Sequence, residues 1–270
     1  MEDIGRRRIR VGRWNWHLVG SRTPLLVLNG IGMNMEVLAP LAEGLAERPV
    51  LMFDAPGIGG SPEPLVPYTA GMAAGWGVEL LDRFGIDKTD LLGFSWGGAI
   101  AQQMALRHGR RVGRLIVSAI GPGLPMVPGK PAILTHLADP HWLRDLREHP
   151  KRVAFFGLGG SDRTVLTREF LKRLILPGTR GYLYQFGALC GWSGTLALPF
   201  LNKPTLVVMG EDDQIVPLAN GRLLAALIPG ARLEVIEGAG HLLMFSHQQE
   251  FLRLLREFLS SDKLLQMRAA

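Results

Sequence analysis

The stretch Gly93-Phe94-Ser95-Trp96-Gly97-Gly98 follows the apolar pair Leu91-Leu92 and runs on into a segment of small and helix-forming residues, 99–108. An apolar run that ends in Gly-x-Ser-x-Gly and opens into a helix reads as a nucleophile elbow, in which the serine occupies a strained turn and its oxygen stands clear of a sheet. The glycines leave room for the helix to start close to the strand. Short Gly/Ser patterns also occur as ordinary turns, so this reading depends on its surroundings.

Those surroundings alternate. Leu25–Asn29 and Val50–Asp54 are short apolar runs, as expected of strands covered on both faces. Between and after them, Val37–Glu47 and Thr69–Phe84 read as helices, Asp90–Phe94 as the strand into the elbow, and Leu115–Ala119 as one more strand. Arg8–Arg13 and Trp14–Val19 read as an N-terminal hairpin. A Pro/Gly-rich departure at Gly121–Pro131 breaks the rhythm, which resumes with strands at Thr205–Met209 and Arg232–Ile236 and helices at Leu218–Ile228 and Gln248–Leu259. Alternating strands and helices predict a mostly parallel sheet with helices on both faces. The intervening insertion of roughly 75 residues is too long for a loop and is expected to form a helical lid over the carboxyl ends of the strands. The expected division is a core from 1–121 and 199–270, with a lid at 122–198.

A serine hydroxyl needs a base, and the base needs an orienting acid. In a sheet of this kind the chain order is serine, acid, histidine. Past the strand Thr205–Met209 stand Glu211, Asp212 and Asp213, and Asp213 is the candidate because the apolar pair Ile215-Val216 anchors its turn. Asp212 is the reserve. The strand Leu115–Ala119 is followed by Ile120-Gly121-Pro122 and offers no acid. Past Arg232–Ile236, His241 lies on the small-residue loop Glu237-Gly238-Ala239-Gly240. The backbone N–H of Trp96 and of Ile31, in Asn29-Gly30-Ile31-Gly32, are the candidate oxyanion donors. Asn34 reads either as a support for that loop or as a turn residue.

Other chemistries find little support. The chain of 270 residues carries a net charge of +6, with its arginines mostly scattered. The cluster Arg6-Arg7-Arg8 with Arg10 reads as a solvated strand face rather than a nucleic-acid arm. No apolar run is long enough to span a bilayer, and the first residues lack an apolar signal segment, so a cytoplasmic protein is expected. The single Cys190 excludes an intramolecular disulfide and reads as a small buried hydrophobe. No His/Cys/Asp spacing fits a metal site, and no dinucleotide fingerprint appears. Gly57–Ser61 lacks the lysine-bearing helix of a phosphate loop and reads as a turn ordered by Asp54. No cofactor is expected.

Taken together, these residues resemble the α/β-hydrolase superfamily. The combination of Asn29-Gly30-Ile31-Gly32, Phe53-Asp54-Ala55-Pro56-Gly57, Ser95-Trp96-Gly97-Gly98, Val127-Pro128-Gly129-Lys130-Pro131 and Tyr184-Gln185 with Gly191-Trp192 is similar to the intracellular depolymerases of medium-chain-length poly(3-hydroxyalkanoates). The resemblance implies an α/β-hydrolase fold of about eight strands with a lid. It also implies cofactor-free hydrolysis of the ester bonds of a hydrophobic polyester at a granule surface, with Ser95, Asp213 and His241 as triad. Asn29 stands where most of the superfamily carries histidine. Asn29, Met126, Val127 and Trp192 are the expected substrate contacts. Leu124, Phe155, Phe156 and Leu158 fit either an acyl pocket, a polymer-facing surface or plain helix packing. The chain departs from the depolymerases at Phe94 and in Gly181-Tyr182-Leu183-Tyr184, positions that bear on acyl length. A carboxylesterase for soluble medium-chain acyl esters is the alternative. A ligand receptor or a cofactor-free lyase or perhydrolase on the same fold also remains open.

Overall fold

The elbow strand lies in mid-sheet. In a computed structural model that describes residues 1–4, 7–148 and 169–260, the strands are β1 (Glu2–Ile4), β2 (Arg7–Trp14), β3 (Leu25–Leu28), β4 (Val50–Asp54), β5 (Thr89–Phe94), β6 (Val112–Ser118), β7 (Thr205–Gly210) and β8 (Arg232–Ile236). They form one sheet in the order β1-β2-β4-β3-β5-β6-β7-β8. From β4 to β8 all neighbours run parallel; β2 is antiparallel to both β1 and β4. Every residue of β3, β4, β5 and β7 is buried, as the uninterrupted apolar runs require of strands with helices on both faces.

The helices are α1 (Met35–Gly44), α2 (Ala70–Arg83), α3 (Trp96–Arg107), α4 (Pro131–Ala138), α5 (Trp142–Glu148), α6 (Thr179–Cys190), α7 (Leu218–Leu227), α8 (Leu243–Ser246) and α9 (Gln248–Ser260). Thr69 caps α2 by accepting the Met72 N–H. In α9 the apolar side chains recur on one face, where Phe251, Leu255 and Phe258 are buried.

The N-terminal hairpin differs from the expectation. Its arms are β1 and β2, not Arg8–Arg13 and Trp14–Val19. Asn15 takes a left-handed backbone with φ 52°, which ends β2, and Trp16–Leu18 turns into a 3-10 helix. The Asn15 Nδ2 holds this corner by donating to the carbonyls of Leu45 and Arg48. Nor is the arginine cluster a plain solvated face. Arg7 lies over the Trp76 ring and Arg10 pairs with Asp54 and Glu36; Arg13, beyond the cluster, lies over Trp16 and Phe84. Arg8 pairs with Asp3 in the open. Arg6, Phe155, Phe156 and Leu158 lie outside the described residues.

The turn from β5 into α3 is packed to contact. A Cβ on Gly97 would collide with the carbonyl oxygen of Leu28 on β3 and stand 2.7 Å from that of Asn29. One on Gly98 would lie 2.6 Å from Ile120, and one on Gly93 2.6 Å from the Gly98 Cα. Because the obstacle at Gly97 is backbone, no side-chain rotation relieves it. Gly97→Ala is therefore expected to cost about 3 kcal/mol or more, at the upper end of core overpacking. Chemical denaturation measures it, and a loss below about 0.5 kcal/mol, the scale of ordinary surface changes, would contradict this close approach.

Candidate active site

Three strand ends supply the site. Ser95 follows β5 with φ 50° and ψ −119°, a conformation that L-residues rarely hold without strain. Its N–H is tied to the Ser118 carbonyl across to β6, and its own carbonyl receives the Gly98 N–H at the start of α3. Asp213 follows β7. Its Oδ1 accepts the N–H groups of Ile215 and Val216, both at 2.9 Å, so the turn anchored by that apolar pair also fixes the carboxylate. His241 follows β8 on a loop that crosses the end of β7, where the Asp212 N–H meets the Ala239 carbonyl. Asp212 itself is exposed.

The three side chains meet. His241 Nδ1 lies 2.8 Å from Asp213 Oδ2, and its Nε2 lies 3.1 Å from Ser95 Oγ. All three are buried, and the Phe94 ring packs on the imidazole with centroids 5.3 Å apart. Since both Asp213 oxygens are acceptors, His241 donates from Nδ1, which leaves Nε2 free to accept the serine proton. Within the hydrogen bonds of the described residues, the N–H groups of Ile31 and Trp96 find no acceptor.

Ser95 and His241 open into a cavity of about 300 Å³. On the core side Ile31, Met33, Ile215 and Val216 line it; the chain between β6 and β7 supplies Leu134, Trp142, Phe170, Phe186 and Trp192. His241 is the one ionisable group besides Cys190 on the described part of this wall.

Of the four expected substrate contacts, Met126 and Trp192 line the cavity, the latter with its indole N–H donated to Gln103. Asn29 and Val127 do not. Asn29 turns back under its own loop, where Nδ2 donates to the Met33 carbonyl at 3.3 Å. Val127 faces solvent, because the Asn220 side chain grips both its N–H and its carbonyl, each at 2.8 Å. Leu124 is on the cavity rim and largely exposed. Cys190 is exposed at the last turn of α6 and also lines the cavity, contrary to its reading as a buried hydrophobe. Its partial burial raises its thiol pKa.

Asp54 does order the neighbouring loops. Its Oδ1 accepts the Met35 N–H at 2.7 Å at the first turn of α1, its Oδ2 faces Arg10, and its carbonyl takes the Ser61 hydroxyl. Burial pushes its carboxyl up to about 7, with Glu36 adding to the rise and the Met35 N–H and Arg10 opposing it. Burial works the same way on Glu36, but bonds from Asn34 and Arg10 hold that carboxyl below its ordinary range. Asn34 is fully buried and bonds across to residues 173–175, donating to the Arg173 carbonyl and accepting the Ile175 N–H. Such partners 140 residues away leave no trace in the local sequence. Among the described residues no three His, Cys, Asp or Glu side chains gather as a metal site. No helix among them is long and apolar enough to cross a membrane.

The description of the alpha/beta hydrolase fold family matches residues 23–248. The chain belongs to this family. Within it, the chain is 37% identical to the poly(3-hydroxyalkanoate) depolymerase of Ectopseudomonas oleovorans over 89% of its length and 86% of that protein. It is 30% identical to the 2-hydroxymuconate semialdehyde hydrolase of Pseudomonas sp. strain CF600 over 96% of its length and 94% of that protein. Among solved structures, the enol-lactonase of Burkholderia xenovorans LB400 superposes with a TM-score of 0.82 over 96% of this chain and 98% of that one, at 21% identity, which speaks for the fold alone. By family and by its relatives the chain is a hydrolase similar to the depolymerase.

Proposed function

We propose that this chain is a serine hydrolase that cleaves the ester bonds of a medium-chain-length poly(3-hydroxyalkanoate). The observation that carries the reading is the hydrogen-bonded line Asp213–His241–Ser95 opening into an apolar cavity. His241 takes the Ser95 proton as Oγ attacks the ester carbonyl. The Ile31 and Trp96 N–H groups receive the developing oxyanion, and the alcohol leaves with the proton from His241. Water, deprotonated by His241, then releases the acyl group from Ser95.

The wall of the cavity supports a neutral, apolar acyl group. A substrate that brings a carboxylate into the cavity would find no arginine or lysine among the described lining residues, and an unpaired charge there is costly. This lining supports the depolymerase's chemistry over a carboxylate substrate of the kind the semialdehyde hydrolase's name gives. In the same reading, 122–198 is a lid over a core of 1–121 and 199–270. The protein then works in the cytoplasm, on a granule surface, without a cofactor. One observation favours a second reading, a carboxylesterase for soluble medium-chain acyl esters: a cavity of about 300 Å³ is at the small end for ligand pockets and suits one acyl chain.

Acid release from a medium-chain polyhydroxyalkanoate emulsion, beside p-nitrophenyl octanoate, tests the proposal. Polymer clearing is expected. Cleavage of the small ester with an untouched emulsion would leave the soluble carboxylesterase, and inactivity on both would reject both readings.

A further inference from the structure

Gln185, on α6, touches both sides of the space in front of Ser95. Its side-chain Oε1 accepts the Gly32 N–H at 2.8 Å, and its main-chain oxygen accepts the Trp96 indole N–H at 2.9 Å. The residue is buried, though it stands on a segment far from both partners in sequence. The Gly32 N–H lies in the peptide just after Ile31 and the Ile31 N–H in the rigid peptide just before it, so a hold on Gly32 leaves only the two dihedrals of Ile31 between that hold and the donor. The loop needs such a restraint. It carries Gly30 and Gly32, the latter with φ +70°, and glycine gives the backbone freedom to swing. Trp96 is the first residue of α3, so a bond to its indole bears on the residue whose N–H faces the elbow from the other side.

We propose that Gln185 is a positioning residue: through these two bonds it sets the Ile31 and Trp96 N–H groups for the tetrahedral oxyanion and couples them to the seating of α6 over the cavity. The proposal rests on the Ser95 reading above. Asn34, at the end of the same loop, adds a second tie to the chain between β6 and β7, at 173–175, so amide side chains link the two at separate points.

The test uses Gln185→Leu, which keeps the volume but removes the acceptor, and Gln185→Glu, whose carboxyl offers an oxygen in either protonation state. With p-nitrophenyl octanoate, the Leu variant is expected to lose about 10- to 100-fold in kcat, with KM within about threefold, since a displaced oxyanion donor acts on the transition state. The Glu variant should recover most of the loss. Octaneboronic acid supplies the readout that a structural defect would not give. Its boron accepts the Ser95 oxygen lone pair, the hydroxyl proton passes to His241, and the boronate becomes tetrahedral with an oxygen at the oxyanion position. Its affinity should fall in step with kcat/KM, while octan-1-ol, a non-reacting occupant, binds as before.

Full kcat in the Leu variant overturns the proposal, as does an equal loss of boronic acid and octanol affinity. Should the Leu protein fail to fold, Gln185→Asn, one methylene too short to reach Gly32, decides: unchanged boronic acid affinity overturns the proposal too. Ser95→Ala assayed alongside separates the two claims. Turnover in that variant defeats the site reading itself, whereas a dead Ser95→Ala beside a fully active Gln185→Leu defeats the positioning role alone.

Discussion

Ser95→Ala should lower kcat on p-nitrophenyl octanoate by about five orders of magnitude, the scale seen when a triad nucleophile is removed and only binding and oxyanion contacts remain. The fold should be unaffected. Among the described residues the side chain has one hydrogen-bond partner, His241 Nε2, while the backbone bonds to Ser118 and Gly98 that fix the turn do not involve the hydroxyl. Alanine keeps the same backbone preference as serine, so the strained φ is neither relieved nor worsened. Steady-state kinetics with a thermal melt checks both halves. A variant that keeps a few per cent of wild-type turnover would show that some other group attacks the ester.

Asp213→Asn should cost about four orders of magnitude in kcat, with little change in KM. The reason lies in the two ends of the carboxylate. Oδ1 is held by the Ile215 and Val216 N–H groups, which only an oxygen can satisfy. The amide nitrogen of asparagine is therefore directed to the position of Oδ2, facing His241 Nδ1. That nitrogen is a donor, so Nδ1 must become the acceptor and the ring proton moves to Nε2. Imidazole then presents a proton to Ser95 where it should take one away. The variant should fold normally and bind octan-1-ol as before. Activity within tenfold of wild type would mean that a different acid orients His241, and Asp212 would be the next residue to replace.

Much of this site is legible in the sequence because its parts sit where strands end. Apolar runs such as Leu91-Leu92 and Thr205–Met209 mark strands buried on both faces, and each runs into a turn that carries side chains able to do chemistry, Ser95 after the first and Glu211, Asp212 and Asp213 after the second. With the serine, acid, histidine chain order of such sheets, and the apolar pair Ile215-Val216 to choose among the three acids, that pattern points to Ser95, Asp213 and His241. What escaped depends on contacts across the fold. Asn29 and Val127 carry the right residue types for a pocket wall, but Met33 and Asn220 turn them away from it. The hairpin differs from its sequence pattern because a single left-handed residue, Asn15, ends a run that otherwise keeps its strand-like alternation. Gln185 stood out only as part of a resemblance. Its bond to Gly32 spans 153 positions, and nothing in the neighbourhood of either residue encodes it.

The backbone at Ser95 sets survival of the fold against its chemistry at one position. A φ of 50° with ψ −119° burdens serine by about 1–3 kcal/mol, whereas glycine holds such angles freely. The most heat-resistant descendant of this chain is thus readily an inert one. A lineage released from the need for its substrate would be drawn to glycine there by stability alone. Any laboratory evolution of this fold must accordingly select on product formed, because selection on thermal endurance favours losing the serine.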